Sequence, residues 1–378
     1  MSRLLPPKVL ARRWWILGGV AAGIFLVDLR ISHATAWHYF ADASDLLFGW
    51  TREDLSGPGG LQIFASHPEF QFGPPAIVAA TPLVRLGPTI GPVAAMIAMS
   101  VLGLVALRMV ERTAFVATPS TAREIHTTTL VGGVLVVSLF STVACRTGHF
   151  DDVLALTATA VALYAVATNR RWIPAVVIGL AAATKPWAIG FAPLCAVPGP
   201  YRLRRLVVFG ACAALPWLSF LLAEPDTFRA LSEFKIANAP ESALRRLGVS
   251  SEHTPSWARI AQITLGTLGA SFAVHRHNWA AVPLVAIAVR LALDPEVHHY
   301  YTAGLVLAAF VWDLHTRPGR IPYATIAAAT LEVVRPPLVS DSISGGWRLT
   351  ITVGAVVYAF AARQAHPNAS AAWVRGRC

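Results

Sequence analysis

Two adjacent aspartates close the segment Arg146–Asp152, which separates two apolar runs that are each long enough to cross a lipid bilayer. Charged groups at a membrane boundary are costly and usually have a functional role. His149, Asp151 and Asp152 could bind a divalent ion, but hard cations usually take six or more oxygens. The sequence therefore predicts no metal and no other cofactor, with a divalent ion as the weaker alternative. We expect one of the two aspartates to cap the next helix and the other to face a site.

Lys185 is the second residue with chemical potential, because it lies in an otherwise uncharged stretch of the chain, residues 179–194. A buried lysine needs an anionic partner to keep its charge. A lipid phosphate is one candidate for this partner. An internal ion pair with Asp151, Asp152 or Asp28 is the alternative.

Three further carboxylates lie in and after the first apolar run. Asp28 is inside that run near its end, where a carboxylate without a role or a partner is unfavourable. Asp42 and Asp45 follow in a more polar segment. An aspartate held beside the membrane can deprotonate an acceptor hydroxyl, so Asp28 and Asp42 are candidate catalytic bases. We expect Asp45 to face water on an amphipathic surface helix.

Histidines mark two more candidate binding segments. His67 and Glu69 precede Gly73-Pro74-Pro75, where the prolines should start a short helix after a turn. These two residues either line the mouth of a site or simply cap a loop. His298 and His299 precede two tyrosines, a combination that suits sugar or phosphate binding. The alternative is an interfacial aromatic belt.

The composition defines the class of protein. The chain has 378 residues, of which 55% are hydrophobic and only 13% are charged, whereas soluble domains have about 25% charged residues. This composition predicts an integral membrane protein made of helices. The net charge of +11 is explained by arginines that anchor cytoplasmic loops rather than by nucleic-acid binding. The four cysteines show no CxxC spacing and should be small buried residues.

The distribution of arginines predicts how the chain threads the membrane, because positively charged loops stay in the cytoplasm. Both termini should be cytoplasmic, since basic residues mark the start, the end and every predicted inner loop. We predict one all-α transmembrane bundle over residues 1–378, with about twelve crossings and outer loops at about 32–73 and 224–257. Segment 74–86 is too short to span and should be a re-entrant helix. Pro186 should break an outward helical hairpin.

These motifs follow one another in the same order, and on the same predicted side of the membrane, as those of the GT-C glycosyltransferases. The chain resembles in particular the bacterial polyprenyl-phosphate-mannose-dependent alpha-mannosyltransferases. The resemblance covers roughly residues 14–200. It rests on four motifs, which are Asp28 with Tyr39-Phe40, Phe72–Pro75, Gly148–Asp152 and Lys185-Pro186. In that family the acid lies only a few residues before the aromatic pair. Here that stretch is Thr35-Ala36-Trp37, so either Asp28 or Asp42 would have to act as the base.

The resemblance implies a transferase in the cell membrane with an extracytoplasmic active site. The donor would be a polyprenyl-phosphate sugar, with mannose as the expected sugar, and the acceptor a glycan or glycolipid. The partners are thus membrane lipids and glycans, and no nucleic acid. Lys185, with Arg146 or His299, would meet the donor phosphate, and the sugar would be transferred with inversion. The remaining candidate substrate-binding residues are His67, Glu69, His149, Asp151, Asp152 and His298.

Two other classes of function compete with this interpretation. A transporter or flippase for a lipid-linked solute predicts polar residues near the bilayer midplane and paired repeats. The sequence has few such residues and no internal repeat. A non-catalytic membrane scaffold of the same fold would have lost the catalytic base.

Overall fold

The chain folds as an assembly of α-helices. The computed structural model describes residues 5–31, 34–49 and 59–361. Within these ranges an isolated antiparallel bridge, Ala237 to His253, is the only β-structure. The predicted all-α class is therefore confirmed. The helices are α1 (Pro7–Ala11), α2 (Arg13–Ile31), α3 (Trp37–Phe48), α4 (Ile63–Ser66), α5 (Pro74–Val84), α6 (Gly87–Ala117), α7 (Ala122–Thr142), α8 (Phe150–Ala167), α9 (Ile173–Thr184), α10 (Arg202–Ala223), α11 (Thr227–Glu233), α12 (Ala243–Arg246), α13 (Ser256–His275), α14 (Val282–Ala292), α15 (His299–Thr316), α16 (Tyr323–Ala329) and α17 (Asp341–Ala361).

Helix length and composition support a membrane protein. Among the described residues, five helices are long and apolar enough to cross a membrane, namely α6, α7 with its extension to Thr147, α8, α10 and α17. A 20-residue helix spans about 30 Å, which matches the hydrocarbon thickness of a bilayer. Several other apolar segments are shorter, including α5 and α9. The membrane class agrees with the prediction, whereas the figure of twelve crossings goes beyond these five helices.

The core of the bundle surrounds α15. This helix is buried along nearly its whole length, and it packs against α7 and α14. At the opposite extreme, α10 exposes large apolar side chains such as Leu203, Val207 and Leu215. A helix with an exposed apolar surface suits a lipid environment, in which apolar side chains carry no penalty.

Two arginines, Arg13 on α2 and Arg108 on α6, share the buried carboxylate of Glu111. Glu111 is fully buried and accepts hydrogen bonds from Arg13 Nε and Arg108 Nη1, both at 2.6 Å. Arg108 also lies over the ring of Trp14, 5.0 Å from its centroid. The two guanidinium groups thus tie α2 to α6. These residues belong to the basic clusters that the sequence assigns to the cytoplasmic side.

The helix break at Pro186 is confirmed. α9 ends at Thr184, Lys185 is extended (φ −142°, ψ 109°), and a 3₁₀ segment follows over Pro186–Ala196. The proline ring disfavours the α conformation of the residue before it and lacks the N–H that would continue the helix. The break therefore holds Lys185 at a fixed junction between two segments.

The short helix predicted after Gly73 is also observed, as α5. Gly73 has an extended backbone (φ −97°) and does not require a glycine for its conformation. It requires one for space, because a β-carbon here would overlap the carbonyl oxygen of Ala183. The Gly73 N–H donates to the Thr184 carbonyl oxygen at 2.8 Å. This contact fixes the first loop against the end of α9, next to Lys185.

The segment 224–257, predicted as an outer loop, lies between α10 and α13 and contains α11 and α12. Asn238 holds the loop together, since its side-chain amide donates to the carbonyl oxygens of Val249 and Ser251 at 3.1 and 3.0 Å. The Ala239 N–H donates to the Pro295 carbonyl oxygen at 2.8 Å. The loop is therefore joined to the segment that carries His298 and His299.

Candidate functional site

The turn that precedes α8 is built around a glycine. Val143–Thr147 forms a π-helical turn, and Gly148 follows in the left-handed region at φ +66°. A β-carbon on Gly148 would come within 2.8 Å of Ala34 Cβ, so both the conformation and the close approach favour glycine. The chain before α3 runs along this turn, with Ala34 N–H donating to Cys145 O at 2.9 Å and Ala36 N–H donating to Thr147 O at 2.7 Å.

This contact brings Arg146 to the end of α2. Arg146 Nε donates to Asp28 Oδ1 at 2.8 Å, and Asp28 is only 1% exposed. The second carboxylate oxygen of Asp28 is buried without a hydrogen-bond partner. A buried carboxylate is stable when paired with a cation, and here the arginine leaves one oxygen able to accept a proton or a hydrogen bond.

The centre of the candidate site is an ion-paired cluster at the start of α8. Asp151 and Asp152 are each 1% exposed. Lys185 Nζ donates to Asp151 Oδ2 and lies 3.4 Å from Asp152 Oδ2. Trp187 Nε1 donates to Asp152 Oδ1 at 3.0 Å. The anionic partner predicted for Lys185 is therefore, in this structure, the aspartate pair, which was the alternative to a lipid phosphate.

The expectation that one of the two aspartates caps α8 is wrong. The N-cap residue is His149, and no side chain caps the helix. Both aspartates lie in the first turn and turn towards Lys185 and Trp187 instead. The reason is electrostatic, because a buried lysine offers a carboxylate a stronger, charge-assisted hydrogen bond than a backbone N–H does. Their negative charges still suit the positive end of the helix dipole.

His149 completes this cluster, which we call the acid–lysine cluster (His149, Asp151, Asp152, Lys185 and Trp187). His149 Nδ1 lies 3.8 Å from Asp151 Oδ1 and 3.7 Å from Asp152 Oδ2. These two carboxylate oxygens are buried and have no hydrogen-bond partner. The imidazole stacks on Tyr300 with ring centroids 3.6 Å apart. The cluster thus contains two buried carboxylate oxygens without a hydrogen bond beside an imidazole, and Lys185 Nζ lies 3.4 Å from one of them, Asp152 Oδ2.

The same three side chains could hold a metal ion. Each of His149, Asp151 and Asp152 offers one ligand atom, and these three atoms lie within 4.8 Å of one another. The ammonium group of Lys185 already lies against both carboxylates. A divalent ion here would find three protein ligands of the six or more that hard cations usually take, and it would meet a neighbouring positive charge. These side chains are therefore better suited to pairing with the ammonium group of Lys185 than to binding a metal ion.

An arginine on α14 extends the cluster. The Arg290 guanidinium lies over the rings of Trp187 and Tyr301, 4.8 and 4.2 Å from their centroids, which is the geometry of a cation–π interaction. Its Nε atom lies 3.5 Å from Asp294 Oδ2. Burial raises the pKa of Asp294 above the ordinary value of an aspartate, and Arg290 opposes this shift. Arg290 therefore connects the acid–lysine cluster to the loop after α14.

The histidine pair lies beyond this connection. His298 Nε2 is 3.0 Å from Glu296 Oε2, and its ring stacks on Tyr300 with centroids 4.9 Å apart. His299 contacts Glu332 through a short hydrogen bond. Tyr300 thus lies between His149 and His298, so the structure brings one of the two predicted histidines close to the acid–lysine cluster.

The remaining predicted residues lie on elements of the first loop. Asp42 and Asp45 are half-buried on α3, whose buried residues Trp37 and Phe40 contact Phe150 edge to face. His67 Nδ1 lies 3.1 Å from Glu69 Oε1. His67 Nε2 is buried without a partner, and its ring stacks on Phe70. These elements pack beside the cluster through aromatic side chains.

Sequence reasoning missed Trp187 and Arg290 as members of the site, and it gave Tyr300 no role beyond its place after the histidine pair. A signal was present for Arg290, which is the lone charge in the apolar run 279–293. By the reasoning applied to Lys185, a charge in such a run needs a partner. Trp187 follows Lys185 by two residues, but nothing in its spacing indicates that its indole N–H reaches Asp152.

Comparisons with protein-family models, with curated proteins and with solved structures find no match for this chain.

Proposed function

We propose that this protein is an integral glycosyltransferase of the cell membrane. It moves a sugar, with mannose as the expected one, from a polyprenyl-phosphate donor to an extracytoplasmic glycan or glycolipid. In this proposal the chain crosses the membrane about twelve times with both termini in the cytoplasm. It is a GT-C-like enzyme that needs no nucleotide sugar.

The observation that carries the proposal is the acid–lysine cluster with its neighbour pair Asp28–Arg146. Three carboxylates, those of Asp28, Asp151 and Asp152, are buried at one end of apolar helices, where each ion has a desolvation cost on the order of several kcal/mol. Charged residues in such an environment usually have a functional role, because their burial is otherwise unfavourable. A lipid-linked phosphate and a polar acceptor are the substrates that such a boundary site can serve together.

In the proposed reaction the donor phosphate takes the place of Asp151 on Lys185, with Arg146 or His299 as the second group that binds the phosphate. Displacement of Asp151 frees its carboxylate to bind hydroxyl groups of the sugar, next to the Asp152 oxygen that has no hydrogen bond in this structure. Asp28 or Asp42 accepts the proton of the acceptor hydroxyl. The acceptor oxygen then bonds to the anomeric carbon on the face opposite the departing phosphate, so the configuration inverts.

A transfer assay tests this function. The full-length protein is reconstituted into liposomes with polyprenyl-phosphate mannose that carries a radiolabel in the sugar, together with glycan and glycolipid acceptors. We expect the label to appear on an acceptor through a linkage of inverted configuration. Label that stays on the donor with every acceptor contradicts the proposal, and label that crosses the bilayer still attached to its lipid identifies a flippase instead.

A non-catalytic scaffold is the second candidate, and one observation favours it. Lys185 is already neutralised by two carboxylates, which is the arrangement expected of an ion pair that holds α8 and α9 together. In that case the same liposomes show neither transfer nor movement of the donor. The lysine should then matter for folding alone.

A further inference from the structure

Arg348 on α17 is a buried cation without a partner. It is 3% exposed, and its Nε and Nη1 atoms are buried without hydrogen-bond partners. No ion pair of this guanidinium exists among the residues that the structure describes. An arginine cannot shed its proton at physiological pH, and a buried charge is costly unless it is paired. The side chain therefore lacks an anion.

The nearby carboxylates do not fill this role. Asp294, Glu332 and Glu241 act on Arg348 electrostatically. Asp294 instead lies 3.5 Å from Arg290, and Glu332 contacts His299. A guanidinium gains strongly from direct, bidentate hydrogen bonds and little from carboxylates at a distance.

A second arginine, Arg246, lies against the first turn of α17. Arg246 is exposed on α12, and its Nη1 donates to Ser342 Oγ at 2.8 Å. Gly345 lies one turn before Arg348, and a β-carbon there would come within 3.2 Å of Arg246 Nε. The glycine thus lets Arg246 lie against α17, one helical turn before Arg348 in the sequence. Arg290 and Arg335 already pair with Asp294 and Glu332, so these carboxylates are engaged by other cations.

We propose that α12 and α17 form a phosphate-binding site, with Arg348 at its base and Arg246 at its entrance. Two guanidinium groups on neighbouring turns can share the several oxygens of one phosphate, and Arg is the side chain best suited to this recognition. The phosphate comes from a lipid headgroup or is free in solution. The site lies on α12 and α17, whereas Lys185 follows α9, and its proposal does not depend on glycosyl transfer.

Thermal unfolding of the purified full-length protein in detergent tests the site. The probes are inorganic phosphate and a short-chain phosphatidylglycerol, each compared with chloride at equal ionic strength. We expect phosphate groups to raise the unfolding midpoint of the wild-type protein. Arg348→Met should remove this response, and Arg246→Met should weaken the apparent affinity about tenfold, as loss of a charged hydrogen bond implies. In chloride alone, Arg348→Met should be at least as stable as the wild type, because it removes an unpaired buried charge.

Arg229→Met on α11 is the matched control, since Arg229 is an exposed arginine that pairs with Asp226. This variant should keep the full response. A larger response to the lipid than to phosphate identifies a headgroup, and the reverse identifies free phosphate. A wild-type protein that responds to neither probe, or an Arg348→Met variant that responds as the wild type does, overturns the proposal. If Arg348→Met does not fold, the surface variant Arg246→Met carries the same test.

Discussion

The chemistry proposed for this protein depends on how two buried carboxylate groups are paired. Asp28 shares one oxygen with Arg146 and keeps the other without a hydrogen bond. Asp151 is bound to Lys185. At the scale of residues, Asp28 therefore offers a carboxylate oxygen that no hydrogen bond occupies, and Asp151 is the partner of Lys185 that a phosphate would replace.

The base is identified by three matched substitutions. Asp28→Asn should retain donor binding and lose about 10²–10⁴-fold in turnover, the range that proton abstraction contributes. Asp45→Asn should be nearly silent, because we expect Asp45 to face water on α3. Transfer rates of the reconstituted variants measure this. If Asp42→Asn shows the loss and Asp28→Asn does not, Asp42 is the base; full transfer by both contradicts the mechanism.

Lys185 gives a second prediction, in stability. Lys185→Met leaves two buried carboxylates without their cation, which should cost about 3–5 kcal/mol of unfolding free energy. Lys185→Met/Asp151→Asn keeps the net charge of the acid–lysine cluster and should recover a large part of this loss. Denaturant unfolding of the two variants is the measurement. Equal instability of the single and double variants contradicts the ion pair seen in the structure.

At the scale of elements, two turns position the site. The turn at Gly148 aligns Arg146 with Asp28, and the contact of Gly73 with the end of α9 holds the first loop beside Lys185. Both depend on close approaches of backbone that leave no room for a β-carbon. The site is thus held by rigid junctions, which is what preorganised charges require.

Gly73→Ala tests this arrangement. The added methyl group would overlap Ala183 O and meet Trp217 at 2.9 Å, so α5 must shift away from α9. We expect lower stability and loss of transfer. Gly210→Ala on α10 is the control, because a β-carbon there meets nothing within 4 Å, and it should unfold at the wild-type temperature or above. Normal transfer by Gly73→Ala would show that this contact does not position the site.

How much the sequence predicts differs between elements. The break at Pro186 and the start of α5 at Pro74 follow from the backbone chemistry of proline, which is local. The pairing of Lys185 with Asp151 was one of two open alternatives, because sequence shows that a buried lysine needs an anion but does not show which one. Trp187 and Arg348 depend on contacts between distant helices, and no spacing in the sequence encodes those. The capping error at α8 has the same origin.

At the scale of the whole molecule, the proposal requires the site to face away from the cytoplasm. The arginine distribution predicts that tags after Asp45 and at residue 240 are extracytoplasmic, and that tags at residues 118 and 378 are cytoplasmic. Accessibility of each tag in intact and permeabilised cells is the measurement. A cytoplasmic tag at residue 240 would put the acid–lysine cluster on the side where no acceptor glycan is expected.

The most direct test of the central claim is binding of the donor by the acid–lysine cluster. Native mass spectrometry of the full-length protein with polyprenyl-phosphate mannose measures it without any need for the acceptor. We expect the wild-type protein to bind the donor and Lys185→Met/Asp151→Asn, although folded and unchanged in net charge, to bind about tenfold more weakly or worse, because a charged hydrogen bond to phosphate is lost. Equal donor binding by the two proteins would show that Lys185 is a structural ion pair and that the proposed site is elsewhere.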